Sequence, residues 1–221
     1  MSHRPWKYFD YTRSCIAILL HARQNGRALR NLAALAFLIW SPAMALAQTV
    51  AQPSAVSTLP VEANYANEST DWGVPAQSTL SKGVGARTPT TIPGGKVLST
   101  RQLADALNRK DRLIMLDAWA NPAHQTVPGA HRVWFAGSSG AFDDVNQTAL
   151  SVVLKRLTGG DLNYPVVLFC ANSECWESYN AALRVAALGY RDIRWYRGGV
   201  TAWNAARQPL SGEYGLDQFL R

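Results

Sequence analysis

Two sulfur atoms carry most of the chemical information in this chain. Cys170 and Cys175 bound the run Cys170-Ala171-Asn172-Ser173-Glu174-Cys175-Trp176. Just upstream, Val166-Val167-Leu168-Phe169 is the most strand-like segment of the chain, and residues 175–188 downstream carry a helical pattern that stops at Gly189. A cysteine delivered by a buried strand into a short loop that opens a helix sits where backbone N–H groups and the positive end of the helix dipole converge. Those surroundings stabilise a thiolate, the nucleophilic form of sulfur, and equally a persulfide, whose terminal sulfur is anionic. The carboxyl end of a strand is also where ligands bind in an open α/β sheet.

Blander readings compete at each of these positions. A free cysteine at a strand end is often a small buried hydrophobe, but at Cys170 the position coincides with a second thiol, which favours a functional role. For the pair, a purely structural disulfide is the alternative, since the two Cα atoms can come within the roughly 4.4–6.8 Å that a bridge requires. Bridged and open states both remain open at this point. Trp176 could stack on an aromatic ligand, yet an aromatic at the start of a core helix more often packs. His124 and His131 flank a Pro-Gly turn without the spacing of a ligand cluster, so no metal and no cofactor are expected. Glu174 would push the Cys170 thiol pKa upward if the two face each other. Asp117 is a structural hydrogen-bond acceptor before it is a catalytic acid.

The elements that must position these residues alternate between helix and strand signals beyond Gly95, the pattern of an α/β domain with a mainly parallel central sheet and helices on both faces. Ser99 and Gln102 have capping-box spacing and open a helix through Leu103, Ala106 and Leu107. Leu113-Ile114-Met115-Leu116 reads as a buried strand ending at Asp117, and Val133-Trp134-Phe135 as a short one. Residues 145–157 carry apolar side chains at helical spacing (Val145, Ala149, Val152, Val153, Leu157), stopped by Thr158-Gly159-Gly160-Asp161. Ile193 to Tyr196 is another strand, and a closing helix holding Trp203 starts after Gly198-Gly199. Residues 48–95 are rich in Ser, Thr, Pro, Ala and Gly and read as an extended, largely irregular arm. Tyr65 and Trp72 within it are expected to anchor the arm against the fold.

Residues 1–47 read as an export signal. Arg27 and Arg30 precede the apolar run from Leu32 to Trp40, and Ala45-Leu46-Ala47 offers small residues for cleavage before Gln48. The apolar run stops at Pro42, short of the roughly 20 residues a membrane-spanning helix needs. An uncleaved anchor is the weaker alternative. This segment holds six basic side chains and one acidic one of the 22 and 15 in the whole chain, so 16 basic face 14 acidic groups after cleavage. That balance is no nucleic-acid footprint. Cys15 departs too, leaving Cys170 and Cys175 as a pair in an oxidising compartment where disulfides can persist.

Together, Val166 to Cys170, Leu183-Arg184-Val185-Ala186-Ala187-Leu188-Gly189-Tyr190 and Arg197-Gly198-Gly199-Val200-Thr201-Ala202-Trp203 resemble the catalytic strand, helix and closing Gly–Trp turn of the rhodanese (sulfurtransferase) family. Leu116-Asp117-Ala118-Trp119 and Val127-Pro128-Gly129-Ala130-His131 are similar to its Asp motif and Pro-Gly-Ala turn. The likeness implies a single rhodanese-like domain over residues 96–210, with residues 211–221 a C-terminal tail. It also implies Cys170 as the persulfide-forming residue, residues 171–175 as an anion-cradling loop running into Trp176, and Asp117 as the acid ordering the neighbouring loops. Pro128-Gly129-Ala130, Leu157-Thr158-Gly159-Gly160-Asp161, Cys175-Trp176, Asn180-Ala181-Ala182 and Trp195-Tyr196 further resemble the exported subgroup of pyrroloquinoline quinone (PQQ)-dependent catabolism-associated Cys-Trp motif proteins. That resemblance implies a link to periplasmic quinoprotein alcohol oxidation.

The chain also departs from the family pattern. Cys175 and Trp119 stand where the family often has arginines, so the cations that would hold thiosulfate are missing. The function expected is therefore a persulfide-forming sulfurtransferase in which Cys175 is the resolving thiol. Its partners would be a small sulfur donor and a thiol acceptor, with no nucleic acid and no stable membrane anchor after signal cleavage. The alternatives are a non-catalytic binding module for a quinoprotein dehydrogenase or its cytochrome, with a fixed Cys170–Cys175 bridge, and, last, a thiol oxidoreductase.

Overall fold

Period-two alternation along the strands decides the layering. Ile114, Leu116, Val166, Leu168, Ile193 and Trp195 belong to one apolar cluster, while Met115, Val167, Phe169 and Tyr196 belong to another. Strands buried on both faces require helices on both faces, and the fold supplies them. The computed structural model describes residues 59–60, 63–83 and 85–212. The export segment expected at residues 1–47 lies outside these residues. No helix among them is long and apolar enough to cross a membrane.

After a 3-10 turn at Tyr65–Asn67 the elements run β1 (Lys96–Leu98), α1 (Thr100–Asn108), β2 (Ile114–Asp117), β3 (His131–Arg132), a second 3-10 turn (Trp134–Gly137), α2 (Val145–Thr158), β4 (Val166–Phe169), α3 (Trp176–Ala187), β5 (Ile193–Tyr196) and α4 (Gly199–Ala205). The sheet has five strands in the order β1-β5-β4-β2-β3, and every pairing is parallel. Residues of α2 and α3 pack on the Trp195 face, and residues of α1 and α4 on the Phe169 face. β4 lies at the centre, between β5 and β2.

Local rules account for most boundaries. Ser99 accepts from the Gln102 amide while Gln102 accepts from the Ser99 amide, a complete capping box. Gly159 ends α2 in the left-handed region, at φ 65°. Three features differ from expectation. Lys96–Leu98 is an edge strand paired with β5, although its three residues carry too short a pattern to be read. The segment expected as a strand at Val133-Trp134-Phe135 instead follows the two-residue strand β3, with Val133 at the N-cap of a 3-10 turn that takes in Trp134 and Phe135. Helix α2 matches its expected apolar stripe only in part: Val153 and Leu157 pack on the core, Val145 and Val152 are 79% and 64% exposed, and Leu150 and Leu154 are fully buried beside Gln147 and Thr158. There Gln147 Nε2 donates to Arg184 O and Thr158 Oγ1 meets Tyr190 OH, so two polar residues occupy the inner stripe.

The arm docks along α3. Tyr179 OH donates to Gln77 O and accepts from Gln77 N, and Asn180 accepts from Ser81 N. Trp72 stacks against the Arg87 and Arg197 guanidinium groups. Glu68 is buried, and its Oε2 accepts from the amide and the hydroxyl of Thr100, tying the arm to the start of α1.

Candidate functional site

Cys170 follows the last residue of the central strand. The chain is pinned there from both sides: Ala118 N donates to Phe169 O, Val200 N to Cys170 O and Thr201 N to Ala171 O. Gly199 makes the second pair of contacts possible. It adopts φ +59°, and a Cβ at this position would collide with the Cys170 carbonyl oxygen and the Ala171 backbone. Gly199→Ala is therefore expected to push α4 off the sulfur loop and to destabilise the fold by at least about 2 kcal/mol, from positive-φ strain plus a backbone clash. Urea unfolding of the variant beside the parent protein measures it, and an unchanged midpoint would contradict the close approach.

The loop returns to α3 with Cys175 at its N-cap position, whose side chain caps nothing. Cys170 and Cys175 are joined by a disulfide, their Cα atoms 6.4 Å apart. Cys170 is 1% exposed and Cys175 6%. Asn172 shapes the loop between them: its Oδ1 accepts from Glu174 N and its carbonyl oxygen from Cys175 N. Two of the loop amides are thereby spent inside the loop. The arm covers the outer side, with Ala86 N donating to Glu174 O and Thr88 donating to Ser173 O through both its amide and its hydroxyl. Arg197 locks that contact by donating to Thr88 Oγ1, Thr88 O and Glu68 O. No cation of this cluster is left facing the sulfurs.

The side chains that do face the sulfurs come from the first turn of α3. Ser178 Oγ lies 3.0 Å from Cys170 Sγ, and because a bridged sulfur has no proton, the hydroxyl is the donor. Trp195 Nε1 on β5 donates to the same Ser178 oxygen at 3.0 Å, leaving the hydroxyl proton for sulfur or for the Cys175 carbonyl at 3.4 Å. Glu177 Oε2 lies 3.3 Å from Cys175 Sγ and accepts from Ala120 N at 3.3 Å. Burial raises the pKa of this half-buried carboxyl above the ordinary glutamate value, with the nearby Asp117 charge adding to the effect. Cys170 Sγ, Cys175 Sγ and a Glu177 oxygen all lie within 4.8 Å of one another, a grouping that could hold a metal ion once the bridge is open.

The other residues singled out by sequence fall around this centre. Glu174 is exposed, so the acid beside the sulfurs is Glu177 instead. Trp176 is buried edge-to-face against Tyr179, with ring centroids 4.9 Å apart. Asp117, fully buried at the end of β2, accepts from Trp119 N, Thr126 Oγ1 and His124 Nε2. His124 Nδ1 sits 2.6 Å from both Asn121 O and Arg132 Nη2. Both ring nitrogens are thus committed away from the sulfurs. Glu177 and Ser178 escaped the sequence reading because their approach depends on the register of the first helical turn. The one available signal was their spacing of two and three residues after Cys175.

By sequence, residues 99–206 match the family described as Rhodanese-like domain. No curated protein matches the chain. Similar solved structures include a protein from Anabaena sp., 15% identical with a TM-score of 0.41, covering 56% of this chain and 100% of that one. The thiosulfate sulfurtransferase from Pseudomonas aeruginosa is 19% identical with a TM-score of 0.38, covering 55% of this chain and 22% of that one. The polysulfide-sulfur transferase from Wolinella succinogenes is 17% identical with a TM-score of 0.37, covering 55% of this chain and 81% of that one.

Proposed function

We propose, from the match of residues 99–206 to the family described as Rhodanese-like domain, that this chain is an exported sulfur carrier in which Cys170 takes up a sulfane sulfur and Cys175 releases it. The observation that carries the reading is the placement of the Cys170 sulfur at the end of the central strand, within bonding reach of Cys175 and 3.0 Å from a buried hydroxyl. In the reduced protein the Cys170 thiolate attacks the outer sulfur of a persulfide donor; the donor leaves as a thiol and the Cys170 persulfide remains. A thiol acceptor then takes the outer sulfur, or the Cys175 thiolate attacks Cys170 Sγ and expels hydrosulfide, closing the disulfide. A small thiol reductant reopens it. The Ser178 hydroxyl, held by Trp195, supplies a hydrogen bond to the sulfur anion in each open state.

Donor choice follows from charge. Arg197 is committed to Thr88, Glu68 and Trp72, and Glu177 faces Cys175. With Arg197 so engaged, a doubly charged thiosulfate cannot draw on that guanidinium, which favours persulfide or polysulfide donors. The test is mass spectrometry of the reduced protein after exposure to persulfide, polysulfide and thiosulfate. One added sulfur on Cys170 is the expected result with the first two donors, and its absence with all three would remove the mechanism.

A second reading is favoured by the bridge itself. A closed Cys170–Cys175 disulfide under the docked arm suits an accessory module with a fixed surface, which the resemblance to PQQ-associated proteins would direct to a periplasmic quinoprotein dehydrogenase or its cytochrome. Free-thiol titration of the purified protein separates a reactive pair from a locked one. Failure to capture a quinoprotein partner from periplasmic extract, together with unchanged growth on alcohols after deletion, would count against this reading.

A further inference from the structure

Glu177 is a half-buried carboxylate that is poorly provided for. Its Oε2 accepts one long hydrogen bond from Ala120 N, and among the described residues no arginine, lysine or histidine forms an ion pair with it. A carboxylate taken partly out of water without a cation is costly, and this one points at the two sulfurs. We propose that the reduced protein binds a divalent d10 cation of borderline softness, for which Zn2+ is the probe, through Cys170 Sγ, Cys175 Sγ and Glu177 Oε2.

The geometry is close to what such an ion needs. A tetrahedral zinc with Zn–S near 2.3 Å and Zn–O near 2.0 Å sets its sulfurs roughly 3.8 Å apart and each sulfur roughly 3.5 Å from the oxygen. Glu177 Oε2 is already 3.3 Å from Cys175 Sγ, and the three ligand atoms lie within 4.8 Å of one another. Breaking the bridge therefore needs only a modest separation of the sulfurs. Because the Cys175 side chain caps nothing, it can turn without uncapping α3. His124 is close enough to act on Glu177 electrostatically, but both its ring nitrogens are engaged, so it adds no ligand. Water or an exogenous thiol takes the fourth position, the arrangement of an open rather than a closed site. Two thiolates and a carboxylate around Zn2+ leave one negative charge, which the N-terminus of the twelve-residue helix α3 tolerates.

The chemistry balances simply. A dithiol reduces the bridge to two thiols and is itself oxidised to a cyclic disulfide. Zn2+ then displaces the two thiol protons, which go to buffer, and no electrons move. Because the metal and a sulfane sulfur both need the Cys170 thiolate, each excludes the other. Metal binding is nonetheless measured without any sulfur donor, so it stands or falls separately from sulfur transfer.

The test is anaerobic titration of dithiol-reduced, desalted protein with Zn2+ against a chromophoric chelator. One zinc per chain with release of protons is expected for the reduced protein and none for the oxidised one. Glu177→Gln should weaken the site by at least about tenfold, the scale seen even for groups outside the ligand set. Equal binding by the oxidised protein, no binding by the reduced one, or an unchanged affinity in Glu177→Gln would each overturn the proposal. X-ray absorption of the wild-type zinc complex is an independent check if the variant does not fold. Two sulfur neighbours with oxygen completing the shell support the site, and a shell of oxygen and nitrogen alone rejects it.

Discussion

Cys170→Ser is expected to carry no sulfur at all, while Cys175→Ser, equally deprived of the bridge, should accumulate a persulfide that it cannot discharge into a disulfide. The contrast is sharp because the two variants share one structural loss. Either substitution removes a disulfide closing a loop with a sequence separation of five, worth about 2 kcal/mol on a chain-entropy account. A difference between them therefore reports chemistry alone. Cys170 sits at the strand end, pinned by Val200 N and beside the Ser178 hydroxyl, whereas Cys175 lies beside Glu177, whose negative charge disfavours a second anion. A serine hydroxyl at 170 stays protonated at neutral pH and does not attack sulfur. Mass spectrometry of both variants after persulfide treatment reads the outcome. An adduct in Cys170→Ser equal to that in Cys175→Ser would assign the carrier role to the other thiol or to neither.

How much of this was legible in the sequence differs from layer to layer. The strand before Cys170, the capping box at Ser99 and the glycine stops at Gly159 and Gly189 are local signals, and the structure keeps them. The parallel sheet with helices on both faces follows from the alternation of such segments and is present as expected. What could not be read is decided by contacts distant in sequence. Lys96–Leu98 becomes a strand only because β5 offers it an edge. The arm covers the sulfur loop because Thr88 and Arg197, 109 positions apart, meet over Ser173. The inner face of α2 was only partly read: Val153 and Leu157 pack on the core, but Gln147 and Thr158 are buried there too, through partners on and just beyond α3, which no hydropathy pattern anticipates. At the site, the two sulfurs were visible as a spacing, but their neighbours Ser178 and Glu177 depended on where α3 begins.

The same kind of long-range dependence makes Asp144→Ala the largest expected loss of stability. Arg184 was part of a family-like helical run, yet its side chain is fully buried, and Asp144 is its counter-charge. The pair is bidentate, with Nη1 2.8 Å from Oδ1 and Nη2 2.7 Å from Oδ2, and Arg184 also donates to the carbonyl oxygens of Ser138 and Ala141. Asp144 does a second job as the N-cap of α2, accepting from Gln147 N. Removing it strands a guanidinium that keeps only neutral partners and uncaps a helix, a combined cost of about 3 kcal/mol. Asp144→Asn keeps the cap and loses the charge, so it should cost about 1 kcal/mol. The pH dependence separates the two terms. The Arg184 hydrogen bonds, foremost, hold the Asp144 carboxyl down at about 2 from an ordinary value of 3.8. Because the folded value is the lower one, this contribution is fully present above the unfolded pKa and is lost as pH falls through the range from 3.8 to about 2. Urea midpoints of wild type and Asp144→Asn should therefore converge on acidification through that range, while Asp144→Ala stays lower by its lost cap. A gap between wild type and Asp144→Asn that is independent of pH down to about 2 would show that the ion pair contributes nothing.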